Sequence, residues 1–209
     1  MPIEIFIDGQ DCSGKTTTAQ LFNQTHDNKY IIRENRLTKI NPYYDFSMKL
    51  KQNKIANKLR TRDGLFYMAA LKDLHSANAE NSQTEEPIIQ VSSVPTRMFA
   101  QFKASNFSNR YADYLTDNLM NKFPQPQNAF FLYNDDKTEM LERLEGRIVA
   151  SPKSISKRDL VIRDNFDKYL RSQDALADIN LKHFNAHIIN TRGKTPLDAV
   201  KEMNDVMGK

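Results

Sequence analysis

A single cysteine, Cys12, stands in 209 residues. A lone thiol excludes an intramolecular disulfide framework and any multi-cysteine zinc site. A reducing cytoplasm is the simplest home for such a chain. No apolar run approaches the ~20 residues of a membrane-spanning helix, so no membrane partner is expected. The N-terminus, Met1-Pro2-Ile3-Glu4-Ile5-Phe6, lacks the basic region and small-residue cleavage site of a secretory leader. Repeats, low-complexity tracts and Gly/Ser linkers are also missing, and the length fits one domain over 1–209. With 39% hydrophobic and 27% charged residues, the composition matches neither a disordered tail nor a membrane protein.

The net charge is +4, and its distribution says more than its sum. From Arg36 to Arg62 eight basic residues face one acid, Asp45, and a second basic stretch runs from Arg143 through Arg171. Such regions either attract anions or form solvated helix faces.

Short apolar runs alternate with longer amphipathic segments. Ile3–Ile7, Tyr30–Ile32, Pro87–Val91, Ala129–Tyr133 and His187–Asn190 read as buried parallel strands. Helices are expected over Lys15–Thr25, Asp63–Asn78, Pro95–Phe123, Lys137–Arg147, Arg158–Ile179 and Pro196–Met207. The alternation predicts an α/β, three-layer fold: a five-stranded parallel sheet with helices on both faces. A ligand should then sit at the carboxyl ends of the strands.

The most informative segment runs from Gly9 to Thr16 and reads G-x-x-x-x-G-K-T. Its glycines allow a tight turn that brings backbone N–H groups to phosphates. The helix that follows points its positive end at the same anions. Lys15 is placed to reach the β- and γ-phosphates, and the Thr16 hydroxyl to ligate magnesium. The loop predicts a fold of the P-loop NTPase type, with a nucleotide-binding set of Gly9, Gln10, Asp11, Cys12, Ser13, Gly14, Lys15, Thr16 and Thr17 and with Mg2+ as cofactor. No Asn-Lys pair has an aspartate two residues on, which argues against a GTPase.

The segment from Phe6 to Thr17 resembles the first motif of thymidylate kinases and their deoxynucleoside-kinase relatives. Arg33-Glu34, Leu65-Phe66-Tyr67-Met68-Ala69-Ala70, Leu141-Glu142-Arg143-Leu144-Glu145-Gly146-Arg147 and Thr195-Pro196-Leu197-Asp198 resemble later family segments, in order. Only the first motif is highly specific. The resemblance implies ATP-dependent phosphoryl transfer to a nucleoside monophosphate, or to a deoxynucleoside. It implies that Asp11, Arg33, Phe66 and Gln101 bind the acceptor, with Phe66 stacking on its base and Gln101 reading a base edge. Arg143 and Arg147 would be lid arginines, Arg143 on the nucleotide and Arg147 in catalysis beside Lys15, with Arg158 next. The lid is expected around 143–163, and Lys153 and Lys157 would swing toward the phosphates. The resemblance also implies a homodimer.

Two departures from the family pattern stand out. The third strand lacks the family's terminal Asp-Arg and reads Ile88-Ile89-Gln90-Val91-Ser92-Ser93 instead. Arg97 is the candidate for the missing positive charge, and Asp8 for part of the missing carboxylate's role at the metal. The family arginine that reads a pyrimidine would fall near Ala70 or Leu71, and neither can donate such a bond. A nucleotide-binding protein without turnover, or transfer to a nucleic-acid end, therefore stays open beside the kinase reading, although nucleic acid is not the expected partner.

Overall fold

Residues 3–34, 42–43, 61–92, 96–97, 100, 109–150 and 162–208 are described by the computed structural model. Strand β1 (Ile3–Gly9) is the central strand, buried along nearly its whole length. It is followed by α1 (Lys15–Thr25), β2 (Ile31–Glu34), α2 (Thr61–Asn81), β3 (Ile88–Val91) and α3 (Asn109–Met120). Then come β4 (Asn128–Tyr133), α4 (Lys137–Ala150), α5 (Phe166–Phe184), β5 (His187–Asn190) and α6 (Pro196–Met207). The five strands form one sheet in the order β2-β3-β1-β4-β5, with parallel pairings throughout.

This order has a functional consequence. The chain leaves β1 toward β2 and β3 on one side, then crosses to β4 and β5 on the other. Connections on either side of β1 diverge at its carboxyl end, and such a switch point opens a crevice for ligands.

Period-two alternation assigns the strand residues to two cores. Phe6, Ala129 and Phe131 face α2, α3 and α5, against Ala70, Leu74, Leu119, Leu176 and Ile179. Ile5, Ile7, Phe130 and Leu132 face α1 and α6, against Ala19, Phe22, Val200 and Met203. Each fully buried large apolar side chain here contributes about 1.5–3 kcal/mol. Ile3 breaks the alternation and joins the Phe6 face. The cause is a register shift between Ile3 and Ile5, which pair with the adjacent residues Ile88 and Ile89.

The same alternation puts Asp8 on the Phe6 face, with no exposed surface. Helices α1 and α6 have the bounds the sequence predicts. A reciprocal capping box opens α6: Thr195 accepts from the Asp198 amide, and Asp198 accepts from the Thr195 amide.

The bounds of other helices differ. Helix α3 stops at Met120, so Phe123 lies beyond it and packs its ring against Phe6 and Phe184. The expected Arg158–Ile179 helix is interrupted at Asn165 and runs on to Phe184, where Asn185 adopts the left-handed conformation that ends it. Tyr114 of α3 is 62% exposed. Among the described residues, no helix is long and apolar enough to cross a membrane.

Candidate active site

The turn after β1 is built by steric necessity. Gly9 has φ 152°, and a Cβ there would meet the Leu132 carbonyl oxygen at 2.4 Å. Glycine lets β1 and β4 come together at the base of the loop. Cys12 and Gly14 also take positive φ, 63° and 82°, and Gly14 caps α1.

The first half of the loop is tied down from several sides. The Gln10 amide donates to Leu132 O (3.0 Å), and its side-chain Oε1 accepts from the Asn134 amide (2.7 Å). The Asp11 amide donates to the Tyr169 hydroxyl of α5 (2.9 Å). The Ser13 amide donates back to Gln10 O (3.3 Å).

The second half is different. The first intrahelical bond of α1 runs from Thr18 N to Gly14 O at 2.8 Å. The amides of Lys15, Thr16 and Thr17 precede it and have no helical acceptor. Beside them the Ser13 hydroxyl is buried and makes no hydrogen bond. An anchored turn that leaves helix N-terminal amides unused is built to hold an anion.

Lys15 folds back so that its Nζ donates to Gln10 O at 2.5 Å. Burial, and secondarily the nearby Arg97 guanidinium, push its pKa down to about 8. The Thr16 hydroxyl donates to Glu34 Oε1 at 3.1 Å, which brings the exposed end of β2 to the loop. Arg33 stands next to Glu34, half-buried, and its carbonyl accepts from Gln90 Nε2 at 3.2 Å. The buried Gln90 also donates to Ser92 O at 3.1 Å, so it ties the ends of β2 and β3 together.

Arg97 lies in helical conformation just past β3 and reaches back under the loop. Its Nη1 donates to Asp11 Oδ1 (2.8 Å), and its Nη2 to Gly9 O (2.9 Å), Asp8 Oδ1 (3.3 Å) and Ser92 Oγ (3.3 Å). Burial by itself would lower its pKa, but the Asp8 and Asp11 carboxylates outweigh burial and raise it above the ordinary arginine value. Arg97 thus stays protonated at the phosphate loop, its charge paired with the Asp8 and Asp11 carboxylates.

Asp8 departs from its expected part at the metal. Its Oδ1 accepts from Gly9 N and Arg97, and its Oδ2 from Thr96 Oγ1 (3.0 Å) and Asn180 Nδ2 (3.4 Å). With no exposed surface and four donors in place, Asp8 seats Arg97 and is not open to a metal ion in this conformation. Among the described residues no cluster of three metal-ligating side chains exists. A divalent cation here would rest on Thr16, the neighbouring Glu34 and the anion itself.

On the opposite wall, Arg143 of α4 joins Gln10, Asp11, Cys12, Ser13, Asn134 and Met140 in lining a shallow recess. Its Nη2 donates to Thr191 O (2.9 Å) and Glu139 Oε1 (2.5 Å), which ties α4 to the loop after β5. Glu139 also accepts from the Gly193 amide at 3.1 Å. Arg147, one turn further along α4, is exposed.

Gln101, the Phe66 side chain, Lys153, Lys157, Arg158 and the middle of the expected lid, 151–161, lie outside the described residues. Ala70 and Leu71 belong to the core and its margin, so that stretch of α2 holds no base-reading donor at those positions. Sequence reasoning quoted Glu34 without assigning it a role and missed Tyr169, Asn180 and Thr96 altogether. Glu34 could have been found as the one acid near the end of β2. Tyr169 and Asn180 carry no local signal, because only the packing of α5 brings them to the loop.

Sheet order and the glycine turn after β1 define an α/β fold of the P-loop type. No protein-family model matches the sequence, and neither does any curated protein. Solved structures do match over nearly the whole chain. Thymidylate kinase from Ehrlichia chaffeensis is similar at 15% identity and TM-score 0.56, over 98% of each chain. Deoxyadenosine kinase from M. mycoides with bound dATP is similar at 15% identity and TM-score 0.61, over 99% of this chain and 100% of that one. Thymidylate kinase from Candida albicans gives 14% identity and TM-score 0.62, over 99% and 92%. The chain has the fold of these kinases.

Proposed function

We propose that this protein is an ATP-dependent phosphotransferase acting on a nucleoside-type acceptor: a nucleoside monophosphate, as in thymidylate kinases, or a deoxynucleoside. The observation that carries this reading is the divided phosphate loop, anchored over Gln10, Asp11 and Ser13 and open at the amides of Lys15, Thr16 and Thr17. Mg·ATP would supply the transferable phosphoryl group and a divalent charge. Lys15, the open amides and the Ser13 hydroxyl would bind its phosphates, with Thr16 at the metal and Arg143 on the nucleotide. Arg97 would offset part of the negative charge that develops during transfer, and Arg147 would act with it. Asp11, Arg33, Phe66 and Gln101 remain the proposed acceptor contacts. A homodimer and a cytoplasmic location complete the reading, as the family resemblance and the lone cysteine suggest.

One observation favours the deoxynucleoside acceptor. A hydroxyl acceptor must lose a proton during attack, whereas a phosphate monoester oxygen is already ionised at neutral pH. Glu34, exposed and 3.1 Å from the Thr16 hydroxyl, would be the carboxylate that takes that proton.

The test is ADP release from Mg·ATP over a panel of deoxynucleosides and nucleoside monophosphates, with Lys15→Ala as control. Acceptor-dependent ADP that disappears in Lys15→Ala supports the reading and names the acceptor. ATP binding without acceptor-dependent ADP would overturn it in favour of a protein that binds nucleotide without turnover. With a nucleoside acceptor, Glu34→Gln should lower kcat by about 10²–10⁴-fold. With a monophosphate acceptor, it should chiefly raise the Mg2+ concentration required.

A further inference from the structure

Tyr169 enters the site from an element that the phosphate-loop motif does not include. It sits in the first turn of α5, where its amide donates to Asn165 O (3.0 Å) and its ring stacks against Phe166 at 5.8 Å between centroids. Its hydroxyl oxygen accepts from the Asp11 amide at 2.9 Å, a contact that spans 158 residues of sequence. Burial raises the phenol well above the ordinary tyrosine range, so the group stays a neutral hydroxyl at every working pH.

The Asp11 peptide is a critical joint. It immediately precedes Cys12, whose φ of 63° turns the loop, and its own carboxylate holds Arg97 at 2.8 Å. An amide at that position has two courses. It can turn inward toward a bound anion, or it can be held away by a fixed acceptor. The Tyr169 oxygen is that acceptor, and it sets the peptide plane from which the Asp11 side chain leaves.

We propose that Tyr169 is a positioning residue for the phosphate loop: by holding the Asp11 amide it fixes the Asp11–Arg97 pair, and with it the guanidinium under the loop. The effect on turnover rests on the phosphotransfer reading given above, but the effect on the loop does not. A single hydrogen bond of this kind corresponds to about a fivefold to tenfold change in a local opening equilibrium or a rate.

Tyr169→Phe keeps the ring and its stacking and removes only the acceptor oxygen. Because Cys12 is the protein's one thiol and neighbours Asp11, its alkylation rate by iodoacetamide, read by mass spectrometry, reports loop opening directly. The expected result is alkylation about fivefold or more faster in Tyr169→Phe, with kcat lowered about tenfold and the KM for ATP little changed. In an Arg97→Lys background, the same substitution should lower kcat by much less, because the two residues act through one joint.

Unchanged Cys12 alkylation in a folded Tyr169→Phe protein would overturn the proposal, whatever happens to turnover. If the wild-type chain transfers no phosphoryl group to any acceptor, the functional reading fails, and the alkylation rates alone decide this inference. If Tyr169→Phe does not fold, amide exchange in the wild-type protein decides it. The Asp11 amide should be protected relative to those of Thr16 and Thr17, and equal exchange would overturn it.

Discussion

Arg97 and Asp11 meet head-on at 2.8 Å beneath the phosphate loop, and the same guanidinium also contacts the fully buried Asp8 at 3.3 Å. Removing the arginine leaves the Asp8 carboxylate in the core with its countercharge gone. Arg97→Ala should therefore destabilise the fold by about 3–5 kcal/mol, read as a lowered midpoint in urea unfolding. Arg97→Lys keeps the charge but loses the forked donors that serve Asp11 and Asp8 together, and should fall between the two. A wild-type midpoint for Arg97→Ala would show that the pair adds nothing.

Lys15 predicts a pH dependence. Its pKa is pushed to about 8, from an ordinary 10.5, by burial and by Arg97. Only the charged form attracts phosphates, so ATP affinity should be flat below about pH 7 and fall through pH 8. It should be about tenfold weaker at pH 9 than at pH 7. Calorimetric titration of ATP across that range checks this, and Lys15→Arg should remove the limb. Stability moves the other way. Below pH 8 lysine is charged in both folded and unfolded chains, and the full burial cost is present. Between about 8 and 10.5 the unfolded chain binds more protons than the folded one, so this group's contribution to stability rises with pH.

Gly9 admits no side chain. A methyl group there would meet the Leu132 carbonyl at 2.4 Å, and the Leu132 Cβ and N at 2.9 Å, in a backbone conformation that L-residues rarely adopt. Gly9→Ala should force β1 and β4 apart at the loop, lowering stability by about 2 kcal/mol or more and abolishing ATP binding. Thermal unfolding and an ATP titration on the same variant test both.

Thr195 offers a contrasting case at the far end of the chain. Its reciprocal bonds with Asp198 hold the first turn of α6. Thr195→Ala should lower stability by about 1 kcal/mol and leave Gln10, Lys15 and Arg97 untouched. Turnover at a temperature where the variant stays folded should match wild type. A loss of turnover there would mean that the α6 start feeds into the site.

Much of this was open to sequence reasoning. Ile5-Phe6-Ile7 and Phe130-Phe131-Leu132 are apolar at consecutive positions because both faces of their strands are buried, and that pattern marks parallel strands. The G-x-x-x-x-G-K-T segment identifies its own geometry, since its glycines, lysine and threonine act through local backbone. Asp8 shows where such reasoning stops. In the sequence it is an acid beside a phosphate loop, and a metal is a natural partner. Only the packing of Asn180 and Thr96 against it shows that its oxygens already have donors.

The local pattern of residues by itself determined the strands, most helices and the glycine turn after β1, because alternation, capping and glycine conformations are properties of a few neighbouring residues. The tertiary structure alone decided which charges meet. Arg97 under the loop, Tyr169 on the Asp11 amide and Glu34 on Thr16 join residues 86, 158 and 18 positions apart. No short-range rule orders those encounters; they follow from the sheet order, which brings the ends of β1, β2 and β3, and the first turn of α5, to a single crevice.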